Sequence, residues 1–306
     1  MRLSLPLKQG VKRWLHTVGY YRRELAQKSF PGVAVLCYHG VRDDRLPAGS
    51  LPFENLHVRA GELADHCRLI RATCHPISLE QWRAALAGGP PLPKRPVLFT
   101  FDDGYRSFLT AVDILERHAL PSLLFAASGP IERQVALWFD AVAQASGEDE
   151  AERLKEVAYP EWRERTAALE RPVHAGDPEA VLTPAEVQAV AARPACEIGG
   201  HTVSHPILAR AGRPDQQTEI AANRGQLQEW TGRPVTAFAY PNGQPGQDYT
   251  QETVELVRQA GYEFGFTTRP GFATPDEPPL ERSRFMMVAG LGAEELAHRL
   301  CYSWHP

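Results

Sequence analysis

Val97-Leu98-Phe99-Thr100-Phe101-Asp102-Asp103-Gly104-Tyr105 is an apolar, β-branched and aromatic run that breaks abruptly into two adjacent carboxylates and a glycine. Pro96 precedes it, and its composition predicts a buried strand over Val97–Phe101 with the carboxylates at the C-terminal end. In α/β architectures that edge is where loops converge and ligand sites are built. Successive strand side chains point to opposite faces, so Asp102 and Asp103 can approach one centre from two directions. Two like charges at an apolar strand end cost free energy unless a cation compensates them, and a bound metal ion is the simplest candidate.

A second short apolar segment, Glu197-Ile198-Gly199-Gly200, runs into His201-Thr202-Val203-Ser204-His205. The i, i+4 spacing predicts both imidazoles on one side of a helical turn, facing one ion. One carboxylate with two imidazoles leaves coordination positions open, as a catalytic metal requires and a structural one does not.

The rest of the chain is consistent with a sizeable α/β core. It has 306 residues, 43% of them apolar and 23% charged, with a formal net charge of −4 that gives no argument for nucleic-acid binding. The five cysteines are odd in number and lack C-x-x-C spacing, which predicts reduced, mostly buried thiols. Neither a secretory signal nor an apolar run of membrane-spanning length is visible, so a cytoplasmic location is expected.

Strand and helix signals alternate. Val33–Tyr38 reads as a strand ending at His39-Gly40, which puts His39 at a strand edge too. Helical spacing covers 60–72 and 107–118, and a strand is expected over 121–127. Thr183-Pro184-Ala185-Glu186 carries a hydroxyl cap, a proline at the first position and a closing glutamate, a helix start. A helix over 215–231, a strand at Val235–Tyr240, a helix over 250–260 and a strand at Phe264–Thr268 complete six or seven βα units, the pattern of a parallel sheet or barrel. The rhythm lapses over about 129–182, read as a mainly helical insertion that forms a solvated shell or a lid. Ahead of all this, residues 1–28 read as a basic amphipathic helix, with Val11, Trp14, Leu15, Val18 and Leu25 on one side and lysines and arginines around them. Such a helix either docks on its own domain or makes peripheral contact with the inner face of a membrane.

Taken together, Thr100-Phe101-Asp102-Asp103-Gly104-Tyr105, His201-x-x-x-His205, Tyr240-Pro241-Asn242-Gly243 and Cys37-Tyr38-His39-Gly40-Val41 resemble the polysaccharide deacetylases, the NodB-homology or carbohydrate esterase family 4 proteins. The resemblance implies a distorted (β/α) barrel of about seven strands occupying residues 29–306, and metal-dependent removal of acetyl groups, N-acetyl foremost, from a sugar or polysaccharide precursor. It implies Asp103, His201 and His205 as ligands of a divalent metal, zinc foremost, with cobalt, manganese or iron as alternatives. It further implies attack by metal-bound water with Asp102 as general base, and the backbone N–H of Asn242 as an oxyanion donor. Tyr240 and Arg284 are candidate substrate contacts. The chain departs from the family pattern in two places. Ala239 stands where the family has the arginine that orients the base, leaving Arg282 or Arg284 to replace it. The late leucine-x-x-histidine motif that supplies the general acid is missing; His298 falls on an expected surface helix, and His39 is the better-placed substitute. Hydrolysis of another non-peptide C–N bond and a non-catalytic glycan-binding role are the alternative readings.

Overall fold

The computed structural model describes residues 5–303. Seven strands form its centre: β1 (Ala34–Tyr38), β2 (Pro96–Phe101), β3 (Ser122–Ala126), β4 (Cys196–Gly200), β5 (Ala237–Ala239), β6 (Phe264–Pro270) and β7 (Arg282–Met286). Each pairs in parallel with its neighbours in sequence, and β1 pairs with both β2 and β7, so the sheet closes into a seven-stranded parallel barrel. A two-residue strand at His75–Pro76 pairs with the start of β2 outside the ring.

Period-2 alternation sorts the strand side chains into two layers. Leu36, Tyr38, Phe99, Phe101, Leu124 and Phe238 face outward into the core shared with the helices. Val35, Leu98, Leu123, Phe125, Ala239 and Phe266 fill the barrel interior. The strands carry the apolar residues of a sheet buried on both faces, which is why their sequences are near-continuous hydrophobic runs. Helices at Ala60–Thr73, Phe108–Arg117, Pro184–Ala191, Arg213–Thr231 and Gln251–Gln259 flank the barrel. Thr183 caps its helix, its hydroxyl accepting from the Glu186 N–H while Glu186 reaches back to the Thr183 N–H.

Between β3 and the helix Pro184–Ala191, the insertion contains four helices, Ser128–Arg133, Trp138–Ser146, Glu148–Leu154 and Tyr159–Ala167. They are anchored to the barrel: Trp138, Phe139, Tyr159 and Trp162 are buried in the main core. At the N-terminus, one amphipathic helix was the expectation, and there are two, Leu5–Thr17 and Tyr20–Gln27, separated at Gly19, whose φ of 74° is the left-handed conformation that glycine adopts freely. Residues 1–4 of that expected helix lie outside the described residues. Tyr21 and Leu25 are buried, and Lys12 and Arg13 pair with Glu295 and Glu294 of the helix Ala293–Tyr302. The segment therefore docks on the domain, although Val11, Trp14 and Val18 remain exposed. No helix among the described residues is long and apolar enough to cross a membrane.

Candidate metal-binding active site

The C-terminal ends of β1, β2, β4 and β5 converge on a cavity of about 220 Å³ whose lining includes His39, Asp102, Asp103, His201, His205 and Asn242. A larger cavity of about 450 Å³ lies beside the start of β4, near Ser78, Ala195 and Thr236, and none of the metal-capable clusters among the described residues is there.

Asp103 follows β2 at a φ of 77°, and Gly104 at 90°. This double left-handed step swings Asp103 away from the regular strand alternation and toward the histidines. The φ of Gly104 is one that glycine adopts without strain, whereas a Cβ there would need only the Ile131 Cδ1 methyl, 2.8 Å away, to move. The two histidines are held differently from expectation: the 201–207 segment is a loop, not a helical turn. Thr202 and His205 take φ values of 64° and 60°, and the Thr202 hydroxyl accepts from the His205 N–H, folding the loop so that the rings lie 4.7 Å apart. Glu219 clamps the loop from outside by accepting the Val203 and Ser204 N–H groups at 2.9 and 2.8 Å.

Asp103, His201 and His205 each bring a ligand atom within 4.8 Å of the others. Both Nε2 atoms stand 3.3 Å from Asp103 Oδ1, yet neither Asp103 oxygen accepts a hydrogen bond although both are buried. His201 Nδ1 lies 2.7 Å from the Ala239 carbonyl, which must accept its proton, so Nε2 carries the lone pair that faces the carboxylate. Buried orphan oxygens facing imidazole lone pairs are the arrangement a divalent cation completes, and the oxygen and nitrogen donors fit one.

Asp102 keeps the interior-facing alternation of β2 and meets Arg284 of β7. The guanidinium donates from Nη1 to Oδ1 and from Nη2 to Oδ2, both at 2.7 Å, and from Nε to the Thr267 carbonyl at 2.8 Å. Burial alone would raise the Asp102 carboxyl, but the charge and hydrogen bonds of Arg284 outweigh it and hold it below the usual carboxylate range. Arg284 is thus a buried partner behind Asp102 and is not among the cavity-lining residues, which corrects its placement as a substrate contact. Arg282 sits two residues earlier with its guanidinium over the Trp82 ring, near the other end of the barrel. Tyr240 does line the cavity, but its hydroxyl donates to the Leu280 carbonyl and its ring stacks on Tyr249 at 3.9 Å, so only its ring faces the space.

Asn242 has a φ of 60° and its backbone N–H meets no acceptor among the described residues. Its side chain is fixed at both ends, Oδ1 accepting from Lys155 at 3.2 Å and Nδ2 donating to Asp248 at 3.1 Å. His39 is half-buried at the cavity wall with Nδ1 unpartnered. His298 lies elsewhere, against the N-terminal helices, with Nδ1 at 3.2 Å from the Tyr21 hydroxyl.

The sequence reading missed the contribution of the insertion. Trp138 Nε1 donates to the His205 carbonyl at 2.8 Å, Phe139 packs edge-on to His205, and the Tyr105 hydroxyl donates to Asp140 at 2.7 Å. Lys155 and Glu152 reach the cavity from the same segment. Nothing in their local sequence marks these residues as functional, because their position over the barrel mouth is a tertiary fact.

A closed seven-stranded parallel barrel thus carries an Asp-His-His cluster and a buried Asp-Arg pair at its C-terminal end, a candidate metal-binding active site. The chain belongs to the polysaccharide deacetylase family, whose profile matches residues 89–265. It is similar to the poly-beta-1,6-N-acetyl-D-glucosamine N-deacetylase of Escherichia coli (strain K12), with 36% identity over 103 residues; that match spans 32% of this chain and only 15% of the relative. The fold is that of IcaB from Ammonifex degensii (TM-score 0.63, 21% identity, 90% of this chain and 98% of that one). It is also that of the Streptococcus pyogenes deacetylase PplD in complex with acetate (TM-score 0.64, 18% identity, 88% and 98%).

Proposed function

We propose that this protein is a metal-dependent deacetylase that removes N-acetyl groups from an amino-sugar glycan or its precursor. The observation that carries the reading is the convergence of Asp103, His201 and His205 beside an Asp102 that Arg284 keeps ionised. The similarity to a poly-β-1,6-N-acetylglucosamine deacetylase supports a β-linked N-acetylglucosamine chain as the substrate class.

Asp103, His201 and His205 would hold the cation, zinc foremost among the divalent ions this donor set accepts. When bound, such an ion supplies Lewis acidity toward the acetyl carbonyl and lowers the pKa of water at the site. Asp102 takes the proton of the attacking water, and Arg284 keeps its carboxylate fixed and unprotonated until that step. The free N–H of Asn242 donates to the carbonyl oxygen as it gains negative charge; its direction is set by backbone, so the asparagine side chain is needed only to hold the left-handed turn. His39, with an unpartnered ring nitrogen at the cavity wall, delivers a proton to the departing sugar nitrogen. The ring of Tyr240 contributes an apolar wall for the sugar.

The exposed stripe of Val11, Trp14 and Val18, with Arg22 and Arg23 exposed on the following helix, supports peripheral contact with an anionic membrane. The five buried, unpaired cysteines suit a reducing compartment, in keeping with the cytoplasmic face.

The deciding experiment is acetate release from N-acetylglucosamine oligomers by metal-reconstituted protein, compared with the Asp102→Asn variant. Turnover in the first and its loss in the second is the expected result. Metal-loaded protein that releases no acetate from any acetylated sugar, yet opens a cyclic amide, would move the activity to another C–N bond. Binding of the oligomers without hydrolysis of either would make it a glycan-binding relative.

A further inference from the structure

Cys37 has no part in the chemistry above, yet it lies in one cluster with two groups that do, His39 and Asp102. Cys37 alternates with the outward-facing Leu36 and Tyr38, so its side chain enters the barrel interior at the level of Asp102. Its Sγ lies 3.5 Å from Asp102 Oδ2. The β1–β2 pairing, with Tyr38 opposite Phe101, brings the two strand ends level and delivers His39 to the same corner. Cys37, His39 and Asp102 consequently each offer one ligand atom within 4.8 Å of the other two. His39 Nδ1 is buried without a hydrogen-bond partner, and one ring nitrogen of His39 belongs to the cluster with the thiol and the carboxylate. Cys67, Cys74, Cys196 and Cys301 belong to no such cluster among the described residues.

We propose that Cys37, His39 and Asp102 form a second, weaker cation site that takes a thiophilic divalent ion, and that filling it shuts off hydrolysis by occupying the proton acceptor. Each Asp102 oxygen accepts one hydrogen bond from Arg284, and Oδ2 accepts a second from the Cys37 thiol, so loss of that thiol proton frees an Oδ2 lone pair for an ion. An ion bound to Asp102 lowers the basicity of the whole carboxylate, so it no longer takes a proton from water. As the sulfur–cation bond forms, the Cys37 thiol proton leaves to solvent, so the thiol becomes a thiolate ligand without any change of oxidation state. Arg284 and an ion held by Asp103 both repel the incoming cation, which sets the affinity of this site below that of the first. The donor sets also differ in softness: Asp-His-His accepts manganese, cobalt and zinc alike, whereas a set with sulfur prefers zinc, cobalt or cadmium to manganese. Access is through the cavity, whose lining includes His39 and Asp102.

Cobalt(II) makes the site visible, because only a thiolate ligand produces a sulfur-to-cobalt charge-transfer band in the near ultraviolet, and the first site contains no sulfur. The band is expected to grow only beyond the first equivalent of cobalt and to be missing from Cys37→Ser. A band that saturates with the first equivalent, one that persists in Cys37→Ser, or no band at high cobalt overturns the site. This readout needs no catalysis, so it stands apart from the deacetylase reading. Zinc added to one-equivalent enzyme should slow acetate release about tenfold once nine-tenths of the second sites are filled, since the general base is lost molecule by molecule. Manganese at the same excess should leave the rate unchanged, and Cys37→Ser should resist zinc relative to its own one-equivalent rate. Equal zinc inhibition of the wild type and Cys37→Ser would overturn the switch.

Discussion

Replacing Arg284 with methionine tests how the site keeps a carboxylate charged inside a barrel. The guanidinium is 1% exposed and makes two hydrogen bonds of 2.7 Å to Asp102 with a third of 2.8 Å to the Thr267 carbonyl. Methionine fills comparable space over Phe125 and supplies none of them. Removing one partner of a buried, hydrogen-bonded pair costs about 3–5 kcal/mol, because the other is left as an uncompensated buried charge. The sign of the pH dependence follows from the native carboxyl. In the wild type, Asp102 is depressed, so it contributes stability that is present above its unfolded value and lost as pH falls through the native one. In Arg284→Met, burial is no longer outweighed and the carboxyl rises, so the variant loses stability as pH increases through the raised value. Urea unfolding followed by circular dichroism at pH 5 and pH 8 should show the deficit growing toward pH 8, and the pH profile of hydrolysis should move upward. Asp102→Asn combined with Arg284→Met leaves two neutral groups and should recover part of the loss. A deficit below about 1 kcal/mol, or strict additivity of the two substitutions, would refute the assignment of Arg284 as the partner that holds the base.

Elemental analysis should find metal stoichiometry lowered in Asp103→Asn, His201→Ala and His205→Ala but kept in Asp102→Asn, whose turnover falls about 10²–10⁴-fold; the opposite pattern would exchange the roles of the two aspartates. Trp138→Phe keeps the ring packing but removes the donor to the His205 carbonyl, and about tenfold weaker metal retention in a chelator competition is expected with an unchanged far-ultraviolet spectrum. His66 is buried, with Nε2 donating to the Leu291 carbonyl and Nδ1 accepting from Tyr38, and burial lowers its pKa to about 4. The unfolded chain therefore binds this proton first as pH falls below about 6.5, and His66 alone should subtract about 2 kcal/mol of unfolding free energy by pH 5, a slope that His66→Gln should remove. Trp14→Glu should abolish sedimentation with anionic vesicles and leave the melting temperature alone, since Trp14 is 63% exposed; unchanged sedimentation would count against membrane contact.

Much of the fold was readable because buried parallel strands must be continuous apolar runs, and helix starts such as Thr183-Pro184-Ala185-Glu186 carry their own hydrogen-bond chemistry. The Asp103, His201 and His205 cluster could be read for a related reason: carboxylates and imidazoles at the ends of apolar strands are desolvated at a cost that a compensating charge must offset. Two local inferences did not survive. The His201–His205 spacing suggests a helical turn, but Thr202 and His205 take left-handed conformations that no periodicity announces. The N-terminal stripe runs through Gly19 without interruption, whereas the backbone turns there.

Strand–helix alternation and the Asp102, Asp103, His201 and His205 cluster are legible in contiguous residues whose burial and polarity conflict unless they sit at strand ends, whereas closure into a barrel rather than an open parallel sheet is implied only by the family resemblance. Which of Arg282 and Arg284 supports Asp102 is not legible in the sequence and follows from the height of each on β7 in the closed barrel. Both belong to β7, and two residues of strand rise separate them by about 6.6 Å along the barrel. That height leaves Arg282 over Trp82 and puts Arg284 level with Asp102, which lies 182 positions away in the chain. The same holds for Trp138, Asp140 and Lys155: closure of the barrel and the folding-back of the insertion bring them to the site, and contacts made across such separations leave no pattern in neighbouring residues.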